Sequence, residues 1–193
     1  MNFVQLWLLG LINPSRAFDE LRQKPAPAWG FWAILVRFVP TALTSMVALH
    51  LLDRTPFVPS YLTFLSTENY FAAEIFFLPI FGLGSWLLGG AVVHLCLRLA
   101  RRPSSFDWIL NVLGFGSLIV MPAVWFLDWL AIALNVYGAG VIPVIHVLLA
   151  LWEVALFGIG LSKMEGLRFW PACLLGLVFT GGVYIPLAML FVR

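Results

Sequence analysis

Apolar runs alternate with short polar separators along nearly the whole chain. A helix needs about 20 apolar residues to cross a bilayer core. Five runs qualify: Gly30–Leu52, Tyr70–Leu97, Asp107–Leu127, Val141–Leu161 and Trp170–Val192. The second and third are long enough to tilt or to reach into the interface. The separators are polar or turn-forming. Asp53–Asn69 carries Pro56 and Pro59, and Arg98–Ser105 carries three arginines and Pro103. Asn135–Gly140 is a short uncharged turn, and Ser162–Arg168 holds a lysine, a glutamate and an arginine. Ser104-Ser105-Phe106-Asp107 resembles a capping box with Asp in place of Glu, which would start the third helix.

The first residues follow a different pattern. Met1–Ile12 is apolar but too short to span, and it lacks the cationic start and A-x-A site of a signal peptide. Phe3, Leu6, Trp7, Leu9 and Leu11 suit a helix lying flat in the interface. A second short helix is predicted after Asn13, with Pro14 in its first turn. Ala17, Phe18 and Leu21 share one face of it, and Arg16, Asp19 and Arg22 turn away. Lys24-Pro25-Ala26-Pro27 ends the segment. Residues 1–29 thus form interfacial amphipathic helices, and residues 30–193 a five-span bundle. The expected fold class is an all-α integral membrane protein of one domain.

Composition agrees. Of 193 residues, 62% are hydrophobic and 10% charged, and the mean hydropathy is +1.00. A soluble domain carries about 25% charged residues. A chain this small could not hide so much apolar side chain from water. A soluble enzyme and a disordered chain are both excluded. A net charge of +2 gives no footprint for nucleic acid. Cys96 and Cys173 lie singly in apolar runs and read as small buried hydrophobes. Lysine and arginine gather in the N-terminal segment, the second separator and the fourth, eight in all, against Arg54 and Arg193 on the other side. By the positive-inside rule the N-terminus is inside and the C-terminus outside.

Ionisable groups at membrane depth are expensive, so each needs a reason. Arg37 and Glu153 lie at matched depths, about 10–12 Å from the same side at 1.5 Å per residue. They would form an ion pair between the first and fourth spans. Alternatively, Arg37 snorkels and Glu153 is protonated or hydrogen-bonded alone. Toward the other side, Glu74 and His146 would meet, near Asp128, His50 and Asp53. Such a cluster would hold zinc, carry protons, or simply be satisfied polar groups. No HExxH or other spaced ligand motif favours the metal. His146 and Glu153 share a face of the fourth helix, and His94 would extend it. That face is either a transport path or an inward packing surface.

Small residues mark helix-packing surfaces: Ser85, Gly89, Gly114, Ser117 and Gly158, with Gly181 and Gly182 on the last span. Pro40, Pro79, Pro122 and Pro186 predict kinks or local breaks. Trp32, Tyr70, Trp108, Tyr137 and Trp170 read as interface anchors, and Trp86, Trp125 and Trp152 as deeper packing residues.

Three stretches are similar to the Ypt-interacting protein (Yip) family, in its bacterial branch. They are Ile12-Asn13-Pro14-Ser15-Arg16-Ala17-Phe18 with Lys24-Pro25; Ser105-Phe106-Asp107-Trp108 leading through Leu113-Gly114-Phe115-Gly116-Ser117 to Met121-Pro122; and Leu151-Trp152-Glu153-Val154 through Leu161-Ser162-Lys163. The resemblance implies a five-span membrane protein. Its eukaryotic members are tied to Rab-type GTPases, vesicle traffic and membrane shape. The long cytosolic extension typical of them does not precede Gly30, so the Rab-dependent role is not carried over.

No nucleophile–base pair is visible, and neither catalysis, a cofactor nor a resident metal is expected. The leading expectation is a membrane-organising or adaptor protein of a bacterial inner membrane. Its expected partners are lipids, further copies of the chain and a protein partner. The alternative is a small transporter or channel through Glu74, His146 and Glu153.

Overall fold

A computed structural model describes residues 1–23, 27–56, 61–62 and 64–191. The expected turn at Lys24-Pro25-Ala26, Pro59 and the terminal Val192 and Arg193 lie outside those residues. The described elements are helical. Two short helices, α1 (Phe3–Ile12) and α2 (Pro14–Leu21), precede five long ones. These are α3 (Ala28–Leu51), α4 (Tyr70–Leu99), α5 (Phe106–Ala133), α6 (Ile142–Glu165) and α7 (Phe169–Phe191). All five are long and apolar enough to cross a membrane.

The helices overrun the apolar stretches. α5 continues past Leu127 to Ala133, and α6 absorbs Ser162–Glu165 from the predicted separator. Apolar content marks where lipid would lie, but backbone hydrogen bonding continues until a residue turns left-handed. Asp53, Arg101, Asn135 and Gly166 all adopt positive φ just past a helix end. At the first three the following N–H reaches back five residues, from Arg54 to Leu49, Arg102 to Leu97 and Val136 to Ala131. These bonds close Schellman-type caps.

The start of α5 departs from the expected capping box. Ser105, not Ser104, is the N-cap, and its hydroxyl accepts from the Trp108 N–H. Asp107 is therefore one position early. The Ser105 N–H instead donates to the Glu165 carboxylate of α6. Ser104 is taken by His94. The box is closed across the fold rather than within the helix.

α5 is the hub. From Ile109 to Met121 every residue is buried. α3 crosses it where Gly30 meets Gly114: a Cβ at Gly114 would stand 2.4 Å from the Gly30 carbonyl oxygen. Neighbouring side chains bond directly to the α5 backbone. Trp86 Nε1 donates to the Leu110 carbonyl at 2.7 Å, and Trp7 Nε1 to the Leu118 carbonyl at 3.1 Å. Asn111 works in the other direction, accepting from the Gly30 N–H at 2.8 Å. That N–H lies in the first turn of α3, where Pro27 offers no side-chain cap.

The predicted packing residues differ in their surroundings. Gly89 fits Phe179, and Gly158 fits Cys173. The Ser85 hydroxyl bonds back to the Gly82 carbonyl. At Gly181 and Gly182 an added Cβ would meet nothing within 4 Å, so neither is a packing contact. Two of the four prolines accompany local breaks. Pro40 precedes a π turn at Ala42–Met46, and Pro186 follows one at Thr180–Tyr184. Pro79 and Pro122 sit inside continuous helices. Of the three tryptophans read as packing residues, Trp86 is buried, whereas Trp125 and Trp152 are exposed on the surface. Tyr70, expected as an interface anchor, is buried. Each lies on an apolar helix, and in such a helix composition does not distinguish the bundle-facing from the lipid-facing side.

Candidate functional site: buried polar groups of the bundle

The buried ionisable and polar residues come from all five long helices: Arg37, Glu74, Ser85, Asn111, Ser117, Asp128, Glu153 and Thr180 are among them. Arg37 points from α3 toward α5 and α6. Its Nη1 donates to Glu153 Oε1 at 3.0 Å and to the Ser117 carbonyl oxygen at 2.6 Å. The Ser117 hydroxyl donates to the same Glu153 oxygen. The ion pair expected from matched depth is therefore present, and Arg37 does not snorkel. Ser117 is the third member. Its position on α5 lets one residue serve both partners, with its carbonyl to the cation and its hydroxyl to the carboxylate.

Tyr184 is a member that the sequence reading missed. Its hydroxyl stands beside the Arg37 guanidinium. It lies at the end of the α7 π turn, and a widened turn changes where the following side chain points. The only signal in the sequence is a tyrosine deep in an apolar run, shortly after the small residues Gly181 and Gly182.

A second group lies farther along the bundle. His146 Nε2 and Asp128 Oδ1 are 2.9 Å apart, with the His146 side chain 46% exposed and that of Asp128 7%. The partner of His146 is thus Asp128, not Glu74. Glu74 is fully buried on α4, and its charge, with that of Asp128, is felt at Tyr137 in the α5–α6 turn. Burial pushes the Tyr137 hydroxyl up from its ordinary pKa, and the two carboxylates push it further. Tyr137 belongs to this polar group rather than acting only as an anchor.

His94 does not join a line from His146 to Glu153. Its Nδ1 meets the Ser104 hydroxyl at 2.7 Å, at the opposite end of the bundle. Among the described residues, no three of His, Cys, Asp and Glu gather as metal ligands. Cys96 and Cys173 are free thiols.

Two grooves of roughly 540 and 470 Å³ indent the surface. One is lined by Phe3, Trp29, Trp32 and Val36 among others, the second by Thr44, Pro122, Trp125, Phe126 and Trp129. Neither includes Arg37, Glu153, Asp128 or His146. Chemically, the inner site holds charges in place: a cation with a carboxylate, and a hydroxyl closing the second acceptor position.

The Yip1 domain family matches the chain over residues 9–191. The chain belongs to the Yip1 domain family. No curated protein and no solved structure matches it. The Yip1 match runs from α1 through the last turns of α7, so the Arg37–Glu153–Ser117 site lies wholly inside it. This Yip1 protein is a multi-pass membrane protein, and its family is not a known enzyme family.

Proposed function

We propose that this protein organises membrane, acting through helix packing and lipid contact, as a scaffold in its own right or as an adaptor for a protein partner. Yip1 membership supports the reading. The observation that carries it is the disposition of polar and apolar groups. Arg37, Glu153 and Ser117 satisfy one another inside the bundle, while the outward surface is apolar, including Val4, Leu8 and Ile12 on α1. The lysine and arginine distribution supports an inside N-terminus, and the resemblance to the family's bacterial branch carries the proposal of a bacterial cytoplasmic membrane as the site of action. Membrane lipids and further copies of the chain are the partners this reading requires. Site residues in the bundle are then structural, and the lipid-facing surface does the work.

The test is reconstitution into vesicles. Ion and proton flux is measured for wild type and Glu153→Gln, and vesicle diameter is measured as protein density rises. The expected result is flux equal to protein-free vesicles and a diameter distribution that shifts with density. Flux that Glu153→Gln abolishes would make the protein a transporter. Diameters that stay constant at every density would overturn membrane organisation.

A further inference from the structure

α1 is the short apolar helix expected to lie in the interface. An interfacial helix needs a polar face for the water side. Between Phe3 and Ile12 the one polar residue is Gln5, and it is committed to the helix end. Gln5 Oε1 accepts from the Asn2 N–H at 3.1 Å, and Asn2 Oδ1 accepts from the Gln5 N–H at 2.9 Å. At the other end the Asn13 N–H donates to the Leu9 carbonyl at 2.7 Å, and Asn13 Oδ1 caps α2 through the Arg16 N–H. The chain itself thus caps both ends, which leaves fewer backbone groups to be satisfied from outside than an uncapped helix would have. Both long faces are apolar. Leu6 and Gly10 are buried against the bundle, and Val4, Leu8 and Ile12 are exposed on the opposite side, Ile12 to 86%.

The dock lies deep. Pro122 has no N–H, so the Leu118 carbonyl four residues earlier lacks its usual helical donor. Trp7 Nε1 supplies one. Phe3 packs its ring on Phe115 at 5.3 Å between centroids, and Gly10 admits Ile119. The polar end of the bundle is marked by Ser105 with Glu165 and by Asp19 with Lys163. Leu118 is 13 residues along α5 from Ser105, about 20 Å at 1.5 Å per residue. That is well inside a hydrocarbon core of about 30 Å.

We propose that α1 is a half-membrane helix, inserted into the leaflet on the N-terminal side and docked on the carbonyl that Pro122 vacates, with its Val4–Leu8–Ile12 face against acyl chains. Its occupant is lipid because that face is apolar and its dock at Leu118 lies at hydrocarbon depth, with the exposed Asn2, Gln5 and Asn13 gathered at the two ends of the helix. A ten-residue helix present in one leaflet only enlarges that leaflet relative to the other. This deepens the membrane-organising reading and rests on it for the consequence, not for the insertion.

Spin labels test the insertion in vesicles of phosphatidylcholine and phosphatidylglycerol. Single cysteines replace Leu8, Ile80 and Arg16 in full-length protein carrying Cys96→Ser and Cys173→Ala. All three positions are exposed, so the labels leave the packing intact. The expected result is that Leu8→Cys matches Ile80→Cys, accessible to oxygen and shielded from a water-soluble nickel chelate. Leu8→Cys accessible to nickel like Arg16→Cys would overturn the insertion. Adding Trp7→Phe is expected to raise the mobility of the Leu8 label and bring it nearer the surface. An unchanged label there would overturn the dock. A deep Leu8 label with constant vesicle diameters would sink the membrane-organising reading and leave the insertion standing.

Discussion

α5 and α7 are nearly equal in mean hydropathy, 1.9 and 2.0 over their most apolar stretches, yet 72% of one stretch is buried in the bundle and 22% of the other. In water, apolar content would decide which helix goes inside. In lipid it decides nothing, because acyl chains are as apolar as leucine. What sets α5 apart is what it offers at close range. Gly114 lets the α3 backbone approach, Asn111 caps α3, and Ser117 serves both Arg37 and Glu153. α7 has glycines as well, but Gly181 and Gly182 face open space. A small residue matters only where a neighbouring element stands opposite.

The largest expected effect follows from that contrast. Gly114→Leu drives a side chain into the Gly30 carbonyl, which is backbone and cannot move aside. A cost at or above about 3 kcal/mol is expected, at the top of the usual overpacking range. Little folded protein should be recovered in detergent. Gly182→Leu on α7 should stay within about 0.5 kcal/mol of wild type, as an open surface site does. Comparable melting temperatures for the two variants would erase the distinction between the helices.

Next comes the charge that α5 helps to hold. Glu153→Ala leaves Arg37 buried without its carboxylate, and breaking a buried pair this way costs about 3–5 kcal/mol. Glu153→Gln keeps an acceptor for Arg37 and Ser117 and should lose less. Replacing the pair with apolar residues, as in Arg37→Met with Glu153→Leu, should recover much of the loss, since a buried ion pair adds little net stability over good apolar packing. Thermal melting of the four proteins in one detergent checks the order. A double variant less stable than Glu153→Ala would show that the pair is worth more than apolar filling.

These two sites also mark what was legible in the sequence. The five helices were, because the length of an apolar run is set by the bilayer. Arg37 with Glu153 was legible, because two opposite charges at one depth have few other partners. His146 was placed with the wrong carboxylate: Glu74 and Asp128 both lie near that end, and depth alone does not say which side of a helix faces inward. Tyr184 was not legible, because its aim depends on a π turn that composition does not encode. The dock of α1 was not legible for a related reason. The helix's hydrophobicity was plain, but the proline that frees a carbonyl for Trp7 lies more than 100 residues away.

Asn111 gives a smaller test of the hub. It accepts from an N–H in the first turn of α3, acting as a cap supplied from another helix. Asn111→Ala should cost about 1–2 kcal/mol, the range of a lost N-cap. Hydrogen exchange should rise first at the start of α3, at Gly30 and Phe31, before the rest of the bundle opens. Uniform loss of protection along α3 would mean that Asn111 acts through packing rather than as a cap.

The smallest effect is expected at the surface of α2. Asp19 and Lys163 are 2.9 Å apart, but both side chains are well exposed. Such pairs contribute about 0–1 kcal/mol and are screened by salt. Phe18, the neighbouring residue, is buried and lies against Gly160. Phe18→Ala should cost about 3–5 kcal/mol, as for other buried aromatic truncations. Asp19→Asn should barely move the melting temperature, and the difference should vanish at high ionic strength. A large loss in Asp19→Asn that shrinks as salt is added would mean that charge holds α2 to α6. The expected pattern assigns that attachment to apolar contact, the same force that leaves α5 buried only where small and polar groups let its neighbours close.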